Sequence, residues 1–236
     1  MSKSTFGGKN PIAKLPSRPS NPTPLELAIH RFQKDALRVK NKLDANPNAK
    51  GKDLDQIKED IAHLDREMIR ISTQSSLQSQ LEKYRTDNKD KSTVELSKEA
   101  HHPTDNLSNF LYAVGEPKPS NNHHPHHIIM GNGKSRMMRV RLQMHRYGIG
   151  INDPINGVWL PRSSAFKGHF TTPKAPPHSR IHTYNYETWI SENLAHVRRN
   201  EAVFIGKLKT IKREIKSGSH PDKILEKKDK NWSPNA

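Results

Sequence analysis

Two apolar runs near the start of the chain repeat at alternating intervals of three and four residues. This spacing places the apolar side chains on one face of a helix. Asn46-Pro47-Asn48 and Gly51 separate the two runs and favour a turn. Because the connection is short, the pattern predicts an antiparallel helical hairpin over residues 24–85. Its seam consists of Leu25, Ile29, Phe32, Ala36, Val39 and Leu43 in the first helix and Leu54, Ile57, Ile61, Leu64, Met68 and Ile71 in the second.

The segments on either side of this hairpin are polar. Residues 1–23 are rich in glycine, proline and serine and predict a disordered lead-in. Residues 86–103 are charged and predict a linker, in which His101 and His102 are exposed to solvent. The hairpin carries no visible chemistry. It could therefore serve as an adaptor, a dimerisation arm or a delivery module, or it could only pack against the following domain.

Shorter elements follow the linker. Thr104 can cap a helix that ends at Gly115. Short apolar runs predict strands at His126–Met130 and Gly157–Leu160. With a later helix capped by Thr183 or Asn185, these elements predict a small domain over residues 104–197.

Two further helices complete the pattern. One is predicted over residues 135–147, with Met138, Leu142 and Tyr147 as its inward side chains. The other lies in residues 198–236, which are predicted to form a basic C-terminal helix with a solvated basic tail. The chain is therefore predicted to have an α+β, mostly helical fold.

The amino-acid composition limits the size of the hydrophobic core and indicates the class of binding partner. Only 31% of the 236 residues are hydrophobic, so a single core filling the whole chain is not expected. The formal charge of +16 favours a polyanionic partner, of which nucleic acid is the commonest and a membrane surface the competitor. No stretch approaches the roughly 20 apolar residues of a membrane-spanning helix. The first residues also lack the apolar core of a secretory signal.

The chain contains no cysteine, so a metal would have to be bound by histidines and carboxylates. The adjacent pair His126 and His127 is followed later by His178-x-x-x-His182. Four imidazoles are enough to bind one divalent ion and to leave one histidine as a general base. Ligation by histidine favours zinc, nickel or another first-row ion over magnesium.

Several motifs follow one another in residues 104–197. They are the helix from Asn106 to Gly115, His126-His127-Ile128-Ile129, Gly148-Ile149-Gly150-Ile151-Asn152-Asp153, Asn156-Gly157-Val158-Trp159-Leu160-Pro161, and His178-x-x-x-His182-x-Tyr184-Asn185. Through these motifs residues 104–197 resemble the AHH family of the HNH/endonuclease VII superfamily, a family of predicted toxin nucleases. Two departures concern the backbone around the histidine pair: Pro125 replaces the family's alanine, and Met130 replaces a frequent proline.

The resemblance implies a ββα-metal nuclease domain and a role for each matching residue. His126, His178 and His182 would bind one divalent metal ion, which could be zinc, nickel, manganese or magnesium. His127 would activate water, and Asn156 would steady the loop and help to orient that base. His169 is the alternative to His178 as a ligand.

Other basic residues are candidates for contact with nucleic acid. His123 and His124 are predicted to be loop residues near DNA. The helix over 135–147 carries four arginines that could follow phosphates, although a solvated face is an equally good interpretation. These residues are Arg136, Arg139, Arg141 and Arg146.

The function predicted from these features is a metal-dependent endonuclease toxin that hydrolyses DNA in interbacterial competition. The resemblance implies delivery by a specialised secretion system, action in the cytoplasm of the target cell and an acidic immunity protein as a partner. Two alternatives are a non-catalytic, basic nucleic-acid-binding adaptor with a structural histidine-bound metal and a ribonuclease on the same fold.

Overall fold

A computed structural model describes residues 15, 17–133, 135–197 and 200–234 of the protein. The chain divides into two compact units, Met1–Ser76 and Leu77–Ala236. Of the predicted disordered lead-in, residues 1–14 and 16 lie outside the described part of the chain. Its remaining residues contain no helix or strand.

The first unit contains helix α1, Pro24–Ala45, and most of helix α2, Lys52–Lys89. Thr23 begins α1 with a capping box, because its hydroxyl accepts from the Glu26 backbone and the Glu26 carboxylate accepts from the Thr23 backbone. Within this unit α1 and α2 form the predicted antiparallel hairpin, which an ion pair of 3.1 Å between Lys42 and Asp60 bridges.

The seam of the hairpin is only partly the predicted one. Val39 and Ile57 are buried as expected, whereas Ile61 and Met68 remain 39% and 47% exposed. In α2 the less exposed positions instead recur with the helical period and include Asp60, whose carboxylate bonds to Lys42. The observed stripe keeps the alternating spacing of three and four residues, but Asp60 and Glu67 take the places predicted for Ile61 and Met68.

The second unit begins at Leu77 within α2 and confirms the predicted α+β, mostly helical fold. Its sheet has two antiparallel strands. After α2 its elements are α3 (Thr93–Ser97), α4 (Asp105–Ala113), β1 (His123–His127), α5 (Ser135–Arg146), β2 (Gly157–Pro161), α6 (Tyr184–Leu194) and α7 (Glu201–Ser217), with 3-10 turns at Pro154–Asn156, Ser164–Phe166, His178–Arg180 and Asp222–Leu225.

Strand β1 lies earlier than predicted, because the backbone after His127 bonds to a single residue of the facing loop. His126 and His127 are opposite Val158 and Gly157 in the sheet. Beyond this point the Ile128 amide donates to the backbone oxygen of Asn156 at 2.7 Å. The Ile129 amide donates to its side-chain oxygen, also at 2.7 Å. The asparagine side chain thus replaces a strand partner.

The core lies between α5, α6, α7 and the sheet. The predicted inward residues of α5 are wrong at Met138 and Leu142, which are 49% and 38% exposed, whereas Tyr147 packs against the core as predicted. A second apolar stripe, formed by Met137, Val140 and Met144, lies beside the predicted one, and this second stripe packs into the core. The buried residues of the core include Ile128, Met137, Val140, Met144, Val158, Leu160, Tyr186, Ile190, Phe204, Leu208, Ile211 and Ile215.

Two segments outside residues 104–197 are folded rather than solvated. In residues 86–103, predicted as a linker, α2 continues to Lys89, and Leu96 of α3 is buried where α3 packs on α5. The C-terminal helix α7 belongs to the same core as α6. Its tail is anchored by the Asn185 amide, which donates to the backbone oxygens of Lys223 and Lys227. The C-terminal helix itself was predicted; the linker and the solvated tail differ from prediction because Leu96 and Ile224 are buried in these charged segments.

No helix in the described ranges combines the length and apolarity needed to cross a lipid bilayer.

Candidate active site

The three histidines predicted as metal ligands lie together. His126 is on β1, His178 opens a 3-10 turn, and His182 directly precedes Thr183, the N-cap of α6. One ring nitrogen from each histidine lies within 4.8 Å of the others. The strand and the start of the helix therefore assemble a cluster from residues that are distant in sequence.

A hydrogen-bond chain determines which nitrogen of His126 carries the proton. The Tyr186 hydroxyl donates to the backbone oxygen of Ile128 at 2.9 Å. Its oxygen can therefore act only as an acceptor toward the Nε2 atom of His126, 3.3 Å away. Nε2 carries the hydrogen, and Nδ1 keeps a lone pair that is buried and has no hydrogen-bond partner among the described residues. An orphaned nitrogen of this kind fits a metal ligand.

His182 is oriented by Met130, one of the two residues that depart from the family pattern. Its Nδ1 atom lies 2.9 Å from the Met130 sulfur, which can act only as an acceptor. The lone pair of His182 is consequently on Nε2.

The cluster keeps its imidazoles neutral. Burial lowers the pKa of His126 well below its ordinary value, and the neighbouring His182 and His178 lower it further. Burial and then His182 lower the pKa of His178 to about 4. The pKa of His182 is also lowered, first by burial and then by His102. Neutral imidazole is the form that binds a metal.

The donor set fits a divalent first-row metal ion. Three neutral imidazoles suit zinc or nickel, and three protein ligands leave a coordination position for water or substrate.

The predicted base, His127, lines the same cavity of about 450 Å³ as the cluster. Its Nε2 atom lies 3.0 Å from the side-chain oxygen of Asn152, which can only accept. His127 therefore carries its hydrogen on Nε2 and its lone pair on Nδ1. Burial is the main cause that lowers its pKa to about 4, against the opposing effect of Asn152. The imidazole is neutral at pH 7, as a base must be.

Asn152 and Glu99 are site residues that the sequence interpretation missed. The Asn152 amide nitrogen donates to a Glu99 carboxylate oxygen at 2.7 Å and to the Ala100 backbone oxygen at 2.9 Å. Glu99 lies in the segment predicted as a linker, and Asn152 was noted only as part of a motif. Their separation of 53 positions leaves no local sequence signal for the contact.

Asn156 is fully buried and holds two backbone segments together. Its side-chain oxygen accepts from Ile129, and its amide nitrogen donates to the backbone oxygens of Ile151 at 2.9 Å and Ile129 at 3.2 Å. This geometry agrees with a role in steadying the loop. His127 donates its hydrogen bond to Asn152 and not to Asn156, and a catalytic role for Asn156 stays a prediction.

The remaining histidines differ from expectation in two places. His123, predicted near DNA, is buried and contacts Ser120 and Thr172. His101, predicted to be exposed, is half-buried beside His127, with ring centroids 6.2 Å apart. In both cases strand pairing and loop packing enclose the ring.

His169, the alternative ligand, is outside the cluster and contacts Thr171 through Nδ1 at 2.9 Å. His124 is exposed and lines the cavity near His178, with ring centroids 5.9 Å apart.

The four predicted arginines do not form one row. Arg136 bonds to Tyr184 and to Thr188 of α6, and Arg141 donates to the backbone oxygen of Met130 at 2.7 Å. These two side chains connect α5 to its neighbours. The other two, Arg139 and Arg146, are exposed, and a role in nucleic-acid binding stays a prediction for all four.

A larger cleft of about 910 Å³ lies between the end of α2 and α7. None of the cluster histidines lines this cleft, so the candidate active site is the smaller cavity.

Comparison with known proteins finds a similarity to one nuclease family over part of the chain. No curated protein and no solved structure matched the chain. The sequence model of a family described as a nuclease family of the HNH/ENDO VII superfamily with conserved AHH matches residues 107–216. Nucleases of this superfamily are generally metal-dependent, in agreement with a histidine cluster that could bind a metal. The match contains β1, β2, α6 and every histidine of the cluster, so residues 107–216 are similar to the AHH nuclease family.

Proposed function

We propose that the protein is a metal-dependent endonuclease that hydrolyses DNA phosphodiester bonds. The observation that carries the proposal is the shared cavity of His127 and the cluster of His126, His178 and His182. One neutral histidine stands apart from three others that are suited to bind one divalent ion. Zinc, nickel, manganese and magnesium are the candidate ions, and the imidazole donors favour the first two.

Each residue has a defined task in this reaction. A divalent ion held by the three cluster histidines would supply positive charge to the scissile phosphate and to the leaving oxygen. His127 removes a proton from the attacking water through Nδ1, the nitrogen with the lone pair. Asn152 stabilises the resulting imidazolium, because its oxygen already accepts the hydrogen on Nε2. The water oxygen bonds to phosphorus as the bond to the leaving oxygen breaks.

The charge of the protein supports a nucleic-acid substrate. The formal charge of +16 attracts a polyanion, and the exposed Arg139 and Arg146 extend this charge along α5. We infer DNA as the substrate, with RNA on the same site as the other outcome of the test below.

We also propose that the activity serves as a toxin in competition between bacteria. The sequence resemblance supports delivery by a specialised secretion system into the cytoplasm of a target cell. The excess of basic residues supports an acidic immunity protein as the inhibitor. Growth inhibition and chromosome fragmentation on induced cytoplasmic expression would support this role if His127→Ala abolishes both. Normal growth with wild-type protein that cleaves DNA in vitro would contradict it.

Plasmid cleavage tests the nuclease proposal. The purified protein is incubated with plasmid or structured RNA in EDTA, magnesium, manganese, nickel or zinc. We expect metal-dependent DNA cleavage that His127→Ala abolishes. His169→Ala is the matched control, since this histidine lies outside the cavity, and it should cleave at the wild-type rate.

Two other results would favour a ribonuclease or a binding adaptor over a DNA endonuclease. RNA cleavage without DNA cleavage would change the substrate but keep the mechanism. A gel shift without cleavage in any metal would overturn the proposal in favour of a basic binding adaptor.

A further inference from the structure

Glu99 contacts the active site although it precedes the segment that matches the nuclease family. The family match begins at residue 107. One oxygen of the Glu99 carboxylate accepts from the Asn152 side chain at 2.7 Å, and the other accepts from the Ile151 backbone at 3.1 Å. The residue that bonds to His127 is therefore itself held from outside the matched segment.

The Glu99 contact determines which way the Asn152 amide faces. An asparagine side chain keeps nearly the same shape when its oxygen and nitrogen exchange places, so its neighbours decide the orientation. Glu99 and Ala100 supply two acceptors that use both hydrogens of the Asn152 nitrogen. Exchange would place the amide oxygen against these two acceptors and would leave the buried nitrogen facing His127. The observed orientation is the only one that satisfies all of these groups.

The orientation of Asn152 in turn selects the form of His127. With the amide oxygen 3.0 Å from Nε2, the imidazole carries its hydrogen on Nε2 and keeps Nδ1 unprotonated. With the amide nitrogen in that place, Nε2 would have to be the unprotonated atom. The proposed base would then carry a hydrogen on Nδ1 and could not accept a proton there.

We propose that Glu99 is a positioning residue for His127 and that it acts through Asn152. The inference rests on the proposed function of His127 as the base. It implies that residues before the matched segment complete the active site of this nuclease.

Tyr84 holds the Glu99 carboxylate in place, and Gly150 leaves the space that both side chains need. The Tyr84 hydroxyl lies 2.8 and 2.9 Å from the two carboxylate oxygens, which share its single hydrogen. Gly150 allows this approach, because a Cβ atom there would lie 2.0 Å from the Tyr84 hydroxyl and 2.7 Å from a Glu99 oxygen. The glycine in the Gly148-Ile149-Gly150 motif thus makes room for Tyr84 and Glu99.

Nuclear magnetic resonance of protein labelled with 15N-histidine tests the proposal without requiring activity. The chemical shifts of the two ring nitrogens report which one carries the hydrogen. In metal-free wild type at neutral pH we expect the Nε2–H form of His127. In Glu99→Ala we expect part or all of the His127 population to take the Nδ1–H form. Glu99→Gln retains one acceptor oxygen for Asn152 and should restore most of the wild-type signal.

Kinetics and metal binding give the second readout. In Glu99→Ala we expect kcat to fall roughly tenfold to a hundredfold, the usual range for an outer partner of a site residue. KM and metal affinity should not change, because Glu99 bonds to none of the cluster histidines. Glu95→Ala is the matched control, since this exposed carboxylate on α3 bonds to Ser92 and not to Asn152.

The outcomes separate this proposal from the proposed function. A wild-type tautomer together with wild-type kcat in Glu99→Ala would overturn the positioning role. If that variant does not fold, Glu99→Met, which fills the space but likewise offers no acceptor oxygen to Asn152, replaces it, and a wild-type tautomer with wild-type kcat there would overturn the role equally. If the wild-type protein cleaves nothing, the proposed function fails. The nitrogen shifts then still decide whether Glu99 sets the form of His127.

Discussion

The Nε2 atom of His126 lies 3.3 Å from the hydroxyl oxygen of Tyr186. Both residues are buried, and burial raises the pKa of Tyr186 well above its ordinary value, so the phenol stays protonated. Tyr186 lies in the first turn of α6, and His182 directly precedes the N-cap of that helix. Helix α6 therefore begins beside one proposed ligand, His182, and its Tyr186 fixes the proton position of another, His126.

Tyr186→Phe should weaken metal binding while the fold is retained. The phenyl ring still fills the core, but Nε2 of His126 loses its acceptor, and Nδ1 is no longer held as the lone-pair nitrogen. A loss of roughly tenfold to a hundredfold in metal affinity is expected for such an outer partner. Titration calorimetry with zinc or nickel measures it. Tyr147→Phe, which removes a hydroxyl that donates to the Val197 backbone, should bind metal as the wild type does.

Removing a cluster histidine should separate metal binding from base catalysis. His182→Ala is expected to lose both metal binding and cleavage, since two imidazoles hold a divalent ion far less firmly than three. His127→Ala should keep metal binding and lose only cleavage. Calorimetry beside plasmid cleavage checks both variants. Metal binding in His182→Ala equal to that of the wild type would contradict the assignment of the cluster.

Gly150→Ala should destabilise the protein. The added methyl group would lie 2.0 Å from the Tyr84 hydroxyl and would displace Tyr84 or Glu99. Overpacking of this kind costs about 1–3 kcal/mol of the free energy of unfolding. Urea denaturation measures the loss. Gly206→Ala on α7 is the control, because nothing lies within 4 Å of its added Cβ, and it should be neutral or slightly stabilising. Equal stability of the two variants would show that the Tyr84 contact is not tight.

Lowering the pH should destabilise the metal-free protein in part through His145. This side chain is 3% exposed, and burial is the main cause that lowers its pKa from the ordinary value. As the pH falls below about 6.5, the unfolded chain binds a proton at this histidine more readily than the folded chain does, because the pKa is lowered in the folded protein. The free energy of unfolding therefore decreases, by at most about 1.4 kcal/mol per pH unit for this residue.

Urea denaturation in EDTA between pH 7.5 and 5.5 measures this dependence. His145→Gln should give a shallower slope than the wild type, whatever its absolute stability. Equal slopes would mean that His145 is protonated as readily in the folded protein as in the unfolded chain.

Local patterns in the sequence determined much of this protein. The hairpin followed from apolar spacing, because two amphipathic helices with a short connection can bury their faces only against each other. Strand β2 was predicted from its own composition, and Thr183 or Asn185 as an N-cap from side-chain chemistry, of which the structure shows Thr183. The ligand cluster was predicted through motifs that resemble a family, and the structure brings these three histidines within reach of one ion.

Tertiary packing alone decided the rest. The core face of α5 could not be chosen from sequence, because Met137 and Met138 begin two adjacent apolar stripes and only the neighbouring elements select one. The contact between Glu99 and Asn152 joins a charged loop to a distant turn, where neither residue has a local signal. Periodicity reports which face of an element is apolar, whereas the partner of a single polar atom depends on where the whole chain places it.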